Sequence, residues 1–229
     1  MRGMKLIKLI LIISVLGQFG CSFFEDHNPR DQNKVSVTDN KGYLKEGEQL
    51  PFFGPITKDG QDTLFYQVPK FSLLDQDSLD LGYARFSEKF FIVDFFFTTC
   101  STICPIMTSE LVKLQGMLYE RGLGEEIQFL SVTIDPNTDS PQVLKAYAEN
   151  KGCNLNSWAL GTGEIEYIDE LSKEGFFLAV DRNAAYQDGI IHSSQVILVD
   201  GNRHVRGSYD AVDENEMQKL LQDLIILSE

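Results

Sequence analysis

Residues 89–97, KFFIVDFFF, constrain this chain more than any other stretch. A strand with one wet face alternates polar and apolar residues. This run is apolar on both sides and needs cover above and below, as in a parallel sheet enclosed by helices. It leads directly into Thr98-Thr99-Cys100 and then a helical pattern over residues 103–119. There Met107, Leu111, Leu114 and Leu118 recur at spacings of four, three and four, which makes one core-facing stripe. Met107 fits that stripe and belongs to the core.

The pattern continues in the same alternation. Residues 127–134 form a second strand. Residues 142–151 form a second helix, with Asp139 or Ser140 as its cap and Pro141 in its first turn. Residues 158–160 are a short strand and residues 164–173 a third helix. Residues 195–199 are a strand that turns at Asp200-Gly201-Asn202 into residues 203–209, a hairpin signature. An amphipathic helix over residues 214–227 closes the chain. Upstream, residues 63–68 and 71–74 are strand candidates. The expected fold is therefore α/β and thioredoxin-like: a central mixed sheet flanked by helices, with an N-terminal strand extension. Its domain spans residues 51–229.

The N-terminus has a different character. Arg2, Lys5 and Lys8 precede an apolar run over residues 9–16, and small or neutral residues lead to Cys21. That is an export signal over residues 1–21, too short to span a bilayer. Ending on Gly20-Cys21, it resembles a bacterial lipoprotein signal with Cys21 as the lipidated residue, although Gln18 stands where such signals usually carry Leu. Residues 22–50 are polar and aperiodic, a tether between membrane and domain. The expected location is the cell envelope, exported and membrane-anchored. The formal net charge of −14 grows more negative once the three N-terminal cations are removed, which makes nucleic acid and anionic lipid poor partners.

Export leaves Cys100, Cys104 and Cys153 in an oxidising compartment. Cys100 and Cys104 are the only close pair. Four apart at a helix start, they lie one turn apart with Cα atoms about 6 Å from each other. That spacing allows a disulfide or a shared metal ion. The helix N-terminus is expected to lower their pKa, and Cys100 to lie nearer the surface than Cys104. Two thiolates are a soft donor pair, suited to Cu(I) and also to Zn²⁺. His192, just before the strand over residues 195–199, is the candidate third donor. His27 and His204 are expected to be incidental, and Cys153 to be a spare, partly buried thiol.

Four stretches then carry a resemblance. DFFFTTCSTICPIMTSEL at 94–111, SVTIDPNTDSP at 131–141, SWALGTG at 157–163 and HSSQVILVDGN at 192–202 together resemble the ordered motifs of the Sco/SenC family, across residues 50–228. One departure is Ser101, where the family commonly has Pro or another residue. The resemblance implies a copper chaperone with Cys100 and Cys104 as thiolate ligands and His192 as imidazole ligand, for Cu(I) or also Cu(II). It implies delivery to the binuclear copper site of the copper-bearing subunit of cytochrome c oxidase, or to another cuproprotein. The alternative is a thiol–disulfide oxidoreductase that reduces the cysteines of that site or of other exported proteins, with Cys100 and Cys104 as its redox pair. Against that alternative, no proline lies after Pro141, so the substrate-docking proline of ordinary thioredoxins is missing. Asp94, mid-strand among Phe and Val, needs a partner if buried. It either supports the cysteines from below or satisfies a local hydrogen bond. Asp135 either supports the site or caps a turn. Trp158 is expected in the core.

Overall fold

The computed structural model describes residues 50–182 and 191–228, except for the side chains of Asp181, Ile191 and His192. Residues 1–49, with His27, Cys21, the export signal and almost all of the tether, lie outside the described residues. The chain begins with a hairpin of β1 (Ile56–Asp59) and β2 (Asp62–Phe65), followed by β3 (Ser72–Asp75) and β4 (Asp80–Gly82). The central unit is β5 (Phe90–Phe96), α1 (Cys104–Glu120), β6 (Ile127–Thr133), α2 (Pro141–Lys151), β7 (Trp158–Thr162) and α3 (Ile165–Glu170). A small pair, β8 (Val180–Asp181) and β9 (Ile191–His192), precedes β10 (Gln195–Val199), β11 (Val205–Asp210) and α4 (Glu214–Ser228).

Seven strands form one mixed sheet in the order β11-β10-β5-β6-β7-β3-β4. β5, β6 and β7 are parallel, and β10 runs antiparallel to β5 with Ile197 opposite Val93. Every residue of β6 is buried, and in β5 all but Phe90 are, as a doubly covered parallel pair requires. One face of β5 meets the helices: the Phe96 ring lies 5.2 Å from Tyr147 of α2, whose hydroxyl is 2.8 Å from Thr108 of α1. On the other face, Phe91 packs on Phe86 at 4.9 Å and Phe95 on Phe176 at 5.7 Å. Met107, Leu111, Leu114 and Leu118 are all buried, so the helical stripe is core. Trp158 is buried and stacks on Phe129 at 5.0 Å.

Local differences from the sequence reading have physical causes. α2 is capped by Ser140, whose hydroxyl accepts from Val143 N–H at 3.4 Å, while Asp139 is buried and employed elsewhere. α3 stops at Glu170 and passes into a wider π turn, Leu171–Gly175, in which the buried Ser172 hydroxyl bonds Asp169 O. The β10–β11 turn forms as expected around Asp200, whose carboxyl takes the N–H groups of Asn202 and His204. Gly201 is needed there because a Cβ would come within 2.6 Å of the Glu88 backbone. Among the described residues no helix is long and apolar enough to cross a membrane.

Leu111 is fully buried in the middle of the α1 stripe. Leu111→Ala should cost about 2–5 kcal/mol. Urea unfolding followed by circular dichroism should show a lowered midpoint with an unchanged denaturant slope.

Candidate metal centre

The parallel strands fix where the site is. β5 and β6 end on the same side of the sheet, and the connections to α1 and α2 emerge there. In open α/β sheets that is the ligand-binding side. Cys100 sits in the β5–α1 connection and Cys104 is the first residue of α1, with Pro105 next to it, where a missing N–H costs no helical bond. Cys104 N–H points at Cys100 Sγ, 3.5 Å away, and Thr102 Oγ1 lies 3.6 Å from the same sulfur. The two cysteines are therefore adjacent, as their spacing predicted.

One expectation about them holds and one does not. Cys100 lies nearer the surface than Cys104, 7% exposed against 1%, although both are buried. The helix N-terminus was to lower thiol pKa, yet the Cys104 thiol is held well above the usual thiol range. Burial is the largest cause, and Cys100 and Asp94 push the same way, against a backbone hydrogen bond from Phe97. Desolvation outweighs the helix end because the helix stripe draws Cys104 into the core.

Beneath the pair lies a buried polar column. Trp158 Nε1–H donates to Ser131 Oγ at 2.9 Å, and Ser131 Oγ–H donates to Asp94 Oδ1 at 2.5 Å. Asp94 is 3% exposed and so does have the local hydrogen bond that burial demands. Its negative field also reaches Cys104 and adds to the cost of ionising that thiol. Sequence reasoning named Trp158 only as packing and missed its bond to Ser131.

Asp139, offered by the sequence with Ser140 as a possible cap, has a different task at this end of the sheet. Its carboxyl accepts from Thr98 N–H at 3.0 Å, from the Thr98 hydroxyl, and from the Thr133 hydroxyl at 2.5 Å. It thus ties the ends of β5 and β6 together two residues before Cys100. Asp135 is half-buried. Its backbone carbonyl accepts from Thr138 and Asp139, while its N–H bonds Thr133 Oγ1 at 3.0 Å, which is a turn role.

The backbone of His192 pairs with Val180 and comes three residues before β10. Because β10 is antiparallel to β5, its first residue lies at the end of the sheet where β5 finishes. The His192 side chain is outside the described residues, as is the loop residue Asp188. Cys153, half-buried and far along the chain beyond α2, has its thiol pushed up to about 12 by burial, with the field of Asp94 second. His204 lies in the β10–β11 turn at the opposite end of the sheet, paired with Asp200 at 3.3 Å, and takes no part in the site.

A dithiol at the end of a central strand, on a thioredoxin-like sheet without a proline ahead of β10, defines a soft-metal or thiol-redox domain. Comparison with known proteins gives the family: residues 60–225 match the SCO1/SenC family model, and the chain belongs to that family. It is 28% identical to the SCO1 protein homolog of Bacillus subtilis over 165 residues, 72% of this chain and 84% of that one. The structure of a SCO1/SenC family lipoprotein from Bacillus anthracis superposes with a TM-score of 0.66 at 31% identity, covering 72% of this chain and 96% of that one. A structure of BsSco, presented as a member of the Sco family of cytochrome c oxidase assembly proteins with a disulfide switch, superposes at 0.63 with 28% identity, covering 71% and 92%. These neighbours share the thioredoxin-like fold.

Asp139→Ala strands three donors in a buried place and should cost about 2–5 kcal/mol. Asp139→Asn, which keeps an acceptor, should cost clearly less, and thermal unfolding of both variants checks the order. Cys153 offers a pH test. Its folded pKa is raised, so its contribution to stability is complete below the usual thiol pKa and is lost as pH climbs toward about 12. Alkylation of native Cys153 at pH 8 should run roughly two to three orders of magnitude slower than in denaturant, read by peptide mass spectrometry.

Proposed function

We propose that this protein is a copper chaperone that holds copper through the Cys100 and Cys104 thiolates and the His192 imidazole and hands it to an exported cuproprotein. The observation that carries this reading is the adjacency of two sulfurs at the ligand-binding end of β5 in a SCO1/SenC chain. Two sulfurs are a soft donor set that suits Cu(I), and an imidazole would extend the set toward Cu(II). The fit is chemical as well as spatial: both sulfurs come from one short segment, so binding requires little rearrangement of the fold. A Stutzerimonas stutzeri relative, 29% identical over 166 residues, bears a copper-binding name, which supports the same cargo.

The acceptor in this reading is the binuclear copper site of cytochrome c oxidase, in line with the family description attached to BsSco. The protein would work from a membrane, exported and anchored through lipid on Cys21, as the lipoprotein relative of Bacillus anthracis suggests. Residues 22–50 would then serve as the tether. Asp94 would support the site from behind the ligands through the Ser131–Trp158 column, while Asp135 would hold the turn after β6 beside it.

A second reading has a specific observation behind it. The disulfide switch of BsSco makes redox chemistry of a cysteine pair relevant to this family. In that reading Cys100 and Cys104 form the redox pair and the metal-free protein reduces disulfides of exported proteins. The two readings separate cleanly in one experiment. Copper titration of the reduced protein should give one bound equivalent, with Cys100→Ala, Cys104→Ala and His192→Ala each lowering affinity by at least tenfold. Wild-type affinity in His192→Ala would remove the imidazole from the set. Rapid catalytic reduction of a protein disulfide by the metal-free form, with no copper retained, would put the reductase first.

A further inference from the structure

The end of the sheet that carries the cysteines is also unusual as a surface. Among the connections at that end are those following β5, β6, β7 and β11, and the short segment before β10. Three of them expose large apolar side chains: Ile106 in the first turn of α1 (51% exposed), Val143 in the first turn of α2 (38%) and Val212 before α4 (41%). The sheet order puts Val212 beyond β11, two strands from β5, and Val143 beyond β6, one strand away on the other side. With strands spaced about 4.8 Å apart, these residues bracket the cysteine pair across a span of about 15 Å.

Acid predominates around them; Lys145, one helical position beyond the first turn of α2, is paired with Asp77 at 2.6 Å. Asp135, Glu164, Glu166, Asp213, Glu214 and Glu216 rise from these connections or the first helix turns behind them, and none of the described residues in the same segments is Lys or Arg. Acidic residues at helix N-termini answer the helix dipole, which explains some of them. The dipole does not explain exposed Val and Ile beside them, nor the lack of cations in those segments. Arg182, next to β8, is clamped on Asp169 at 2.7 Å. Lys70 leads into β3, three strands from β5. At the opposite end of the sheet the charges are mixed, with Arg85, Lys89, Arg121, Lys151, Arg203 and Arg206.

We propose that this end is a docking surface for a protein that presents a small apolar centre ringed by Lys and Arg around its own metal-receiving group. The inference rests on the chaperone reading above and names the kind of partner that reading requires. Copper held by two buried sulfurs is exchanged only if an acceptor comes close, so the surface around the sulfurs must be the surface that docks. Complementary charge would raise the encounter rate and orient the acceptor, with an effect that fades as salt screens it. The apolar residues would then exclude water at the centre of contact.

The test uses two synthetic acceptor peptides with the same Met and His copper ligands, one flanked by Lys and the other by Glu. Association with the metal-free protein is followed by fluorescence anisotropy, and copper transfer from the loaded protein by stopped flow. The Lys-flanked peptide should bind at least tenfold more tightly at low salt and receive copper at least tenfold faster. Both advantages should shrink severalfold at 0.5 M salt, taken as about 4 Å of screening length. The triple variant Asp213→Asn, Glu214→Gln, Glu216→Gln should lose most of the advantage, since an asparagine ahead of α4 still caps the helix while the charge is gone. Neutralising Glu125 and Glu126, far from this end, should change nothing. Equal binding of the two peptides, or a gap that the triple variant leaves intact, overturns the proposal. If the metal-free protein discriminates between the peptides while no copper is retained, the docking surface stands and the chaperone reading fails.

Discussion

The ends of β5 and β6 are joined by a single buried carboxyl, and the site depends on that joint. Seven consecutive parallel pairs, from Phe90 with Ile127 to Phe96 with Thr133, bring the two strands to a common finish. Beyond the last pair the backbone turns upward and would be free to splay. Asp139 prevents this by accepting from Thr98 on one strand and Thr133 on the other. A carboxyl buried so completely is tolerable only because its neighbours are donors, and those donors are the residues whose position must be fixed. The cysteine turn therefore starts from a rigid point, while the helix stripe anchors its other end through Met107. Between two fixed ends, the separation of the sulfurs is set by the fold more than by the loop.

That rigidity has a consequence for the chemistry. Burial keeps the Cys104 sulfur close to the core, and the negative field of Asp94 adds to the cost of ionising it. Charge on the sulfur is then favourable chiefly when a cation is present to balance it. An unburied dithiol would be more nucleophilic at neutral pH and better suited to attacking disulfides unaided. The environment of this pair accordingly leans toward cation binding, and the lack of a proline ahead of β10 leans the same way.

Much of this was legible in the sequence, and the reasons are particular. The doubly apolar run of β5 demanded a covered parallel strand, and the α1 stripe demanded a helix on it. The proximity of Cys100 and Cys104 followed from their spacing alone. Of the elements of two to four residues, β2 and β3 overlap the strand candidates at 63–68 and 71–74, but β1 is mostly exposed and lacks alternation, and β4, β8 and β9 are too short to set a period. The end of α3 was misjudged because Ser172 bonds back to Asp169, a local preference that pattern does not reveal. Asp139 was offered with Ser140 as the cap because Asp-Ser-Pro before an apolar period is a cap signature, and Ser140 is the one that caps. The real partners of Asp139 include a residue 41 positions earlier, and only tertiary structure brings them together. The depth of Cys100 escaped for the same reason, since cover from neighbouring connections has no counterpart in local sequence.

The two ends of the sheet divide the labour. At one end Asp200 gathers the turn amides, His204 and Arg206, and Arg206 reaches back to the carbonyls of Leu50 and Pro51, where the described chain begins. Phe52 packs between the Phe65 ring and the Arg206 guanidinium, so the entry of the domain is pinned by a cation over an aromatic face. At the other end the connections are short, acidic and partly apolar. The described chain thus begins at the end of the sheet opposite the cysteines, and the contacts that pin its first residues leave the cysteine end unencumbered by them.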